Sequence, residues 1–298
     1  MSYISTNSKR IAKNTLYLYL RMGLVLVVSL FTTRVVLQAL GVEDYGINNV
    51  VSGFVTMFAF LNTSMSNGVQ RFYNFSLGKK NEYSITDVYN TALQIQGILS
   101  VILLLLLETF GLWYIHAQMV IPDERFFAAL WVFHFSVFSL VLLVLQIPYS
   151  AAIMAYERMD YYAYLSIFDV LAKLGIAYAV KYATTDKLIL YGALNLLVSF
   201  ICFFLYYGYA KRQFHELKTD FKIRRRLFES MLSFSGWNVF GSFAYMVKGQ
   251  GLNMLLNVFF GPIVNAARGI SAMVMSALQG FQAVSYTHLR AHETRGNL

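Results

Sequence analysis

Charged residues are scarce in this sequence, and acidic residues are fewer than basic ones. Only 13% of the 298 residues are charged, whereas 57% are hydrophobic. Soluble domains carry about 25% charged residues, and one core in a soluble chain of this length could not bury so much apolar surface. The scarcity therefore excludes an ordinary soluble domain and indicates an all-α protein embedded in a membrane.

Cysteine and proline are also rare, and the common enzyme signatures are missing. Cys202 is the one cysteine and lies in an apolar run, which excludes a disulfide framework and a cysteine metal site. Of the three prolines, Pro148 and Pro262 stand near predicted helix ends, where breaks are compatible with gating. There is no Walker loop, nucleophile elbow, metal-ligand cluster or pair of carboxylates in an outside loop. We therefore expect no enzyme activity, no metal and no other cofactor.

Hydropathy predicts eight membrane spans, because about 20 mostly apolar residues are needed to cross a bilayer. The second span is the most polar. The predicted spans are Leu16–Leu40, Ile47–Val69, Leu93–Ile115, Phe126–Ala152, Tyr162–Tyr182, Leu188–Tyr209, Met231–Phe259 and Ile263–Ala283.

The basic residues predict the orientation. If the N-terminus is cytoplasmic, the outside loops carry only Arg125, Lys181 and Lys187, and every other loop lysine and arginine is inside. This asymmetry follows the positive-inside rule, so the net charge of +9 needs no nucleic-acid partner. The inside residues are Lys9, Arg10, Lys13, Arg71, Lys79, Lys80, Arg158, Lys211, Arg212, Lys218, Lys222, Arg224, Arg225 and Arg226.

A short internal repeat predicts two lobes. The segment LGVEDYGINNVVSG, from Leu40, resembles FGPIVNAARGISAM, from Phe260, and the second copy follows six predicted helices. Transporters often rock one repeat against another. We therefore predict a first lobe at 1–210, a basic cytoplasmic linker at 211–230, and the first two helices of a second lobe at 231–284. The polar segment 285–298 is expected to be a non-native tail. The linker is expected to anchor the topology, or else to touch anionic lipids.

Cations lie inside the predicted spans, where a charge costs about 2.5–3.5 kcal/mol on insertion scales. Four of them, Arg21, Arg34, Lys248 and Arg268, have no sequence neighbour to neutralise them. Arg21 and Arg34 have an alternative explanation, because both are near enough to span ends to snorkel to an interface. Lys173 follows Asp169 by four residues and can pair with it on one helical face. That pair is either structural or a coupling site for a proton.

Polar side chains form stripes on two of the predicted spans. One stripe is spaced by threes and fours along the second span, and a similar one follows the seventh. Such stripes either pack helices together or line a cavity. We predict a polar, cationic cavity that binds substrate. The predicted substrate-binding residues are Arg21, Arg34, Lys248, Arg268, Asn49, Ser52, Thr56, Asn238, Ser242 and Asn265.

Several separated blocks resemble a known family of transporters. They are TRVVLQALGVEDYGINNVVSGFVTMFAFLN, MSNGVQRFYNFSLGK, IPYSAAIMAYERMDYYAYLSIFDVLAKL, SFSGWNVFGS and NMLLNVFFGPIVNAARGIS. Together they are similar to the Wzx-type oligosaccharide flippases of the multidrug/oligosaccharidyl-lipid/polysaccharide exporter superfamily, over residues 11–283. The resemblance implies a MATE-like bundle of two six-helix lobes with twelve to fourteen helices, of which about eight are present, as in a C-terminally truncated member.

The resemblance also implies a function. Such a protein would move undecaprenyl-pyrophosphate-linked repeat units across the bacterial inner membrane for O-antigen or capsule biosynthesis. Its partners would be the lipid-linked oligosaccharide, membrane lipids, and polysaccharide polymerase and chain-length machinery. A peptidoglycan-precursor flippase is an alternative, because its cargo also carries pyrophosphate. A MATE-type small-molecule or ion antiporter is another, although it would need unpaired membrane acids. A membrane polymerase or glycosyltransferase would need a larger loop with carboxylates.

Overall fold

The computed structural model describes residues 2–78, 83–118, 121–220, 222 and 224–244, and every regular element among them is helical. The all-α membrane class predicted from composition is confirmed. A 3₁₀ turn at Met57–Ala59 and a π-helical turn at Leu107–Gly111 interrupt the helices. The helices are α1 (Ser2–Thr56), α2 (Phe60–Leu77), α3 (Ile85–Leu106), α4 (Leu112–Gln118), α5 (Asp123–Leu145), α6 (Ile147–Ala155), α7 (Met159–Lys181), α8 (Lys187–Gln213) and α9 (225–244).

The chain divides into two compact units. The first unit comprises Met1–Val27 and Phe243–Leu298, of which residues 2–27 and 243–244 are described and helical. The second unit, Val28–Ser242, contains the rest of α1 and all the helices from α2 to α9 up to residue 242. The division into predicted lobes at 1–210 and 231–284 stays a prediction. The predicted linker at 211–230 overlaps the end of α8 and the start of α9 and stays a prediction as a unit.

Five helical stretches of the described chain are long and apolar enough to cross a membrane. Large apolar residues such as Leu105 and Phe204 are each 61% exposed on the outer surface of these helices. Soluble proteins rarely leave such surfaces uncovered, so these faces are suited to lipid. The stretches are Leu16–Leu77, Ile85–Ala117, Asp123–Ala155, Met159–Lys181 and Lys187–Gln213.

Gly41 turns the chain within the first stretch. Its backbone is non-helical, with φ 83° and ψ 170°, a conformation that glycine adopts without strain. A straight helix of 62 residues would be roughly 93 Å long, about three times the thickness of the hydrocarbon core. Val36, before Gly41, belongs to the same core cluster as Ala177, whereas Val51, after it, belongs to a different cluster that contains Ile115. The break therefore gives two crossings, α1a (residues up to 40) and α1b (42–56) with α2.

Contacts between helices give their relative directions. From Asp44 to Tyr73, the residues of α1b and α2 contact successively later residues of α5 and α6, so these segments run parallel. The helix α3 runs antiparallel to α5 and α6, and α7 runs antiparallel to α8. The contacts are Asp44–Arg125, Ser52–Ser136, Asn62–Leu143 and Tyr73–Pro148 for the first pair, Tyr89–Tyr149 and Glu108–His134 for the second, and Tyr161–Tyr209 and Asp169–Cys202 for the third.

One end of the bundle is fastened by a three-residue ion cluster. Arg125 Nε donates to Asp44 Oδ1 at 2.7 Å, and Arg125 Nη1 donates to Asp186 Oδ2 at 2.7 Å. Asp186 is also the N-cap of α8, because its Oδ1 accepts hydrogen bonds from Leu188 N at 3.0 Å and Ile189 N at 3.1 Å. The cluster therefore joins the starts of α1b, α5 and α8 on the predicted outer side.

The opposite end of the bundle is closed by the segment between α8 and α9, hereafter the docked linker (residues 214–224, of which 214–220, 222 and 224 are described). Its Phe214 and Leu217 are buried in the bundle core. Thr86 Oγ1 donates to the carbonyl of Glu216 at 2.6 Å. Asn90 accepts from the backbone N–H of Asp220 at 2.7 Å. A segment tied in this way is part of the same compact unit as the helices α2 to α8.

Aromatic contacts strengthen the docking of this linker. The ring of Tyr156, which follows α6, stacks on Phe214 with ring centroids 4.1 Å apart. The Tyr156 hydroxyl donates to the Glu216 carboxylate. Burial and the neighbouring Glu216 charge raise the pKa of Tyr156, so this tyrosine stays a neutral hydrogen-bond donor.

Candidate functional site

Arg34 is the intramembrane cation whose surroundings are clearest. It lies on α1a immediately before Val35 and Val36, which are buried in the bundle core together with Ala39 one turn later. Arg34 itself is exposed, and at helical spacing it falls on the side opposite that buried face. No ion pair or hydrogen bond holds its guanidinium within the described residues. Arg34 precedes Leu40, the last residue of the predicted first span, by six residues, which is about 9 Å along the helix axis.

The face that carries Arg34 has further polar character. Gln38, one turn later, is also exposed. The neighbouring hydroxyls are occupied by their own helix, because Thr32 Oγ1 donates to Val28 O at 2.7 Å and Thr33 Oγ1 donates to Ser29 O at 3.0 Å. The hydroxyls of these threonines therefore need no external partner. The guanidinium of Arg34 and the amide of Gln38 remain available to bind a ligand. Arg21 is half-buried and belongs to the first unit.

The predicted stripe on the second span has two kinds of members. Asn49 and Thr56 are exposed, and the Thr56 hydroxyl donates to the carbonyl of Gly53 at 2.9 Å. Ser52 is half-buried and forms a hydrogen bond with Ser136 of α5 at 3.0 Å. Ser52 thus contributes to helix packing, whereas Asn49 and Thr56 face outward from the packed side.

The stripe on the seventh span, as far as it is described, packs against α2. Ser64 Oγ donates to Ser242 Oγ at 2.7 Å. Gly68 leaves room for the side chain of Ser235, whose hydroxyl oxygen a Cβ at Gly68 would strike. Asn238, between these serines, is half-buried. Here small polar residues allow close helix contact, as they do in other membrane helices.

The two acids that lie well inside the membrane-crossing helices, Asp169 and Glu108, have protein partners. Lys173 Nζ donates to Asp169 Oδ2 at 2.8 Å on α7, and the thiol of Cys202 is 3.9 Å from Asp169. Glu108 contacts His134 at 3.0 Å between α3 and α5. The first pair has the spacing of four residues that predicts it. The second joins residues distant in the chain, so no spacing predicts it and only the presence of an intramembrane acid and a histidine points to it.

Part of the predicted site lies outside the described residues. Lys248, Asn265 and Arg268, together with the segment from 285 onward, fall there. Their assignment to the cavity stays a prediction. Among the residues that the structure describes, no group of three His, Cys, Asp or Glu side chains is placed to hold a metal ion.

Comparison with known proteins identifies the fold. No protein-family model matches the chain, and no curated protein matches it. Three solved chains do match. One is the outward-facing conformation of a multidrug resistance MATE family transporter of the MOP superfamily, with a TM-score of 0.77 at 13% identity over 93% of this chain. Another, described as protein A, has a TM-score of 0.72 at 12% identity over 91% of this chain.

The chain spans 62% of the MATE transporter's length and 61% of the second structure's length. At such low identity the similarity shows the fold alone, which is MATE-like, as the sequence blocks implied. The fold and the five long apolar helical stretches are those of a multi-pass membrane protein.

Proposed function

We propose that this protein moves an anionic lipid-linked oligosaccharide, an undecaprenyl-pyrophosphate-linked repeat unit, across the bacterial inner membrane. It does so by alternating access through a cationic cavity, with its N-terminus in the cytoplasm. The product supplies O-antigen or capsule synthesis, where a polymerase and chain-length machinery are the expected partners. The proposal assigns the protein no catalytic step and no cofactor.

One observation supports this cargo above the others. In the part of the chain that the structure describes, Asp169 and Glu108 are already bonded to Lys173 and His134, whereas Arg34 is exposed and unpaired. A carrier of organic cations needs an available carboxylate, and a carrier of pyrophosphate needs an available cation. Charge-assisted hydrogen bonds from a guanidinium to phosphate oxygens are strong where water is excluded.

The remaining predicted residues have lesser roles in this proposal. Asn49 and Thr56 would meet sugar hydroxyls from the exposed side of their helix. Ser52 and Ser242 support the helices by packing. Arg21, Asn238, Lys248, Asn265 and Arg268 are proposed as further cavity residues. The prenyl chain of the cargo would remain in lipid.

A flipping assay tests the proposal. The purified protein is placed in proteoliposomes with a fluorescent undecaprenyl-pyrophosphate-linked oligosaccharide, and externally added dithionite reports which leaflet holds the label. We expect Arg34→Gln to slow flipping about tenfold, because a charge-assisted hydrogen bond contributes roughly 1.5–3 kcal/mol.

The matched control is Arg212→Gln, which removes an exposed arginine near the end of α8, beyond the predicted span Leu188–Tyr209. It is expected to flip at the wild-type rate. Equal rates for the wild type and Arg34→Gln would exclude the cationic contact, and failure of the wild type to flip this lipid would exclude the cargo. Faster flipping of a peptidoglycan precursor would favour the precursor flippase.

A MATE-type small-molecule or ion antiporter is the second candidate, because the matching solved structure is a multidrug transporter. Uptake of an organic cation by the same proteoliposomes, without lipid flipping, would favour it. A coupling role for the Asp169–Lys173 pair would fit this second candidate, because an antiporter needs a site that binds the coupling ion. If their ion pair is structural, Lys173→Met with Asp169→Asn will leave transport unchanged.

A further inference from the structure

Glu108 and His134 form a titratable pair between two helices. Glu108 Oε1 lies 3.0 Å from His134 Nδ1, and the two side chains are 26% and 33% exposed. No other ion pair involves either residue in the described ranges. The pair belongs neither to the cationic face around Arg34 nor to the Asp169–Lys173 bridge.

The pair lies within two membrane-crossing stretches, Ile85–Ala117 and Asp123–Ala155, in the half nearer their predicted outer ends. His134 follows Arg125, in the outer ion cluster, by nine residues, which is about 14 Å along a helix. Glu108 precedes the end of α4 at Gln118 by ten residues, or about 15 Å. The hydrocarbon core is about 30 Å thick. Glu108 and His134 therefore lie at similar distances from the outer ends of their helices, although the two helices run in opposite directions.

Its surroundings are apolar. On α5 the side chains one turn either side of His134 are Trp131 and Phe138, which are 43% and 45% exposed. On α3, Leu105 is one turn before Glu108. The rings of Trp131 and Phe133 lie edge-on to the His134 imidazole. An isolated charge in such a setting is costly.

The helix is distorted where Glu108 lies. The π-helical turn Leu107–Gly111 contains it, and Gly111 allows a close approach of the Phe133 ring, which a Cβ would meet at 2.7 Å. A π-turn inserts a residue into the α-helical pattern and rotates the side chains beside it; such turns are frequent at functional sites. The distortion is a second observation, independent of the pair.

The two ion pairs in the membrane differ in one chemical respect. Lys173 carries a permanent positive charge, so Asp169 is neutralised without binding a proton. His134 is positive only when it holds a proton. The Glu108–His134 pair is therefore electrically neutral with one proton bound, whichever residue carries it, and negative without it.

From this geometry we propose that Glu108 and His134 form an intramembrane proton-binding site, which holds one proton while the pair faces hydrocarbon. The proton leaves when water reaches the pair and can solvate the Glu108 carboxylate. Combined with the proposed function, on which this extension rests, the site supplies the coupling proton for transport.

No other ionisable group in the described residues near the pair is placed to neutralise the negative charge that remains when the proton leaves. On α5, Arg125 is bonded to Asp44 and Asp186, and Asp123 and Glu124 lie beside it at the outer end. On α4, Tyr114 stacks on Phe54 and His116 bonds to Leu112 O. The segment α1b, which packs against α5, has no ionisable residue from 47 to 56. On α8, the nearest charges toward the outer end are Asp186 and Lys187.

The first test measures proton binding without any transport. Histidine ring nitrogens are followed by NMR against pH in the full chain in nanodiscs, and His134→Asn assigns the signal. We expect Glu108→Gln to change the pH-dependent signals of the His134 ring nitrogens, because the carboxylate that lies 3.0 Å from Nδ1 is lost. The control is His116→Gln, which removes a histidine at the helix end and should leave the His134 signal unchanged.

A second variant separates proton binding from mere hydrogen bonding. His134→Lys replaces the imidazole with a permanent cation, so the melting temperature of this variant should depend on pH differently from that of the wild type. Identical His134 titration in the wild type and Glu108→Gln would overturn the proposal. So would identical pH dependence of melting in the wild type and His134→Lys.

The coupling extension has its own readout. In proteoliposomes an imposed pH gradient should accelerate flipping by the wild type, whereas His134→Lys should flip without acceleration. Flipping by the wild type that ignores the gradient would overturn coupling alone. Absence of flipping would overturn the proposed function, and the NMR titration would then decide the proton site by itself.

Discussion

Arg125 lies between the carboxylates of Asp44 and Asp186, and the three side chains are only partly exposed. Although partial burial of Asp186 acts in the opposite direction, hydrogen bonds from the Ile189 N–H and from Arg125 lower its pKa. The ionised form is thus favoured in the folded protein relative to the unfolded chain. The sequence identifies Arg125 only as an outside basic residue, because both of its partners are more than 60 residues away.

This cluster predicts a pH dependence of stability. Because the folded-state pKa of Asp186 is lowered, its contribution is present above the ordinary pKa of an aspartate and is lost as pH falls through the folded value. We expect the melting temperature of the detergent-solubilised protein to fall on acidification, and Asp186→Asn to flatten that dependence. Glu124→Gln, an exposed acid at the same helix end, should keep the wild-type slope. An unchanged slope in Asp186→Asn would contradict the assignment.

At the scale of elements, the sequence is most informative where lipid sets the pattern. The predicted span Tyr162–Tyr182 corresponds to α7 (Met159–Lys181), and Leu188–Tyr209 lies within α8 (Lys187–Gln213). The ends differ because hydropathy detects the apolar part, whereas polar turns extend each helix beyond it. The capping box between Ser84 and Asp87, for example, begins α3 eight residues before the predicted span.

Contacts between elements are less predictable, and the packing of α2 on α9 shows why. The polar stripe on the seventh span predicts a cavity lining, yet Ser235 and Ser242 contact Gly68 and Ser64. A polar stripe has the same spacing in both roles, since helical periodicity gives a face but not its neighbour. Only the three-dimensional structure distinguishes them.

This contact predicts a compensating pair of mutations. Gly68→Ala should destabilise the protein by about 1–3 kcal/mol, because the new methyl group meets the Ser235 hydroxyl. Removing that hydroxyl with Ser235→Ala in the same chain should restore most of the loss. Thermal unfolding of the four variants gives the coupling energy. Gly97→Ala, where a Cβ meets nothing within 4 Å, is the control; simple additivity of the two changes would refute the contact.

At the scale of the whole molecule, the class and the fold could be predicted from composition and from the resemblance, because both reflect the membrane solvent and the order of the helices. The cavity could not. It depends on which faces of the helices remain uncovered, and Lys248 and Arg268 lie outside the described residues. The predicted orientation depends on loop charges, which act during insertion.

Cysteine labelling tests that orientation. In a Cys202→Ser background, Lys187→Cys should react with a membrane-impermeant maleimide in intact spheroplasts. Lys218→Cys, on the docked linker, should react only after permeabilisation. The native Cys202 is buried and provides a low-reactivity reference. The opposite labelling pattern would place the N-terminus outside.

The docked linker also limits how α9 moves. Its backbone is tied to Thr86 and Asn90, and Arg224, at its far end, is bonded to Asp87. All three partners lie in the first turns of α3, so the root of α9 is fixed there. This root lies at the end of the bundle opposite the ion cluster of Arg125, Asp44 and Asp186. Because Ser242, near the other end of the described part of α9, is bonded to Ser64 of α2, a tilt of α9 about its root must either carry α2 along or break that hydrogen bond.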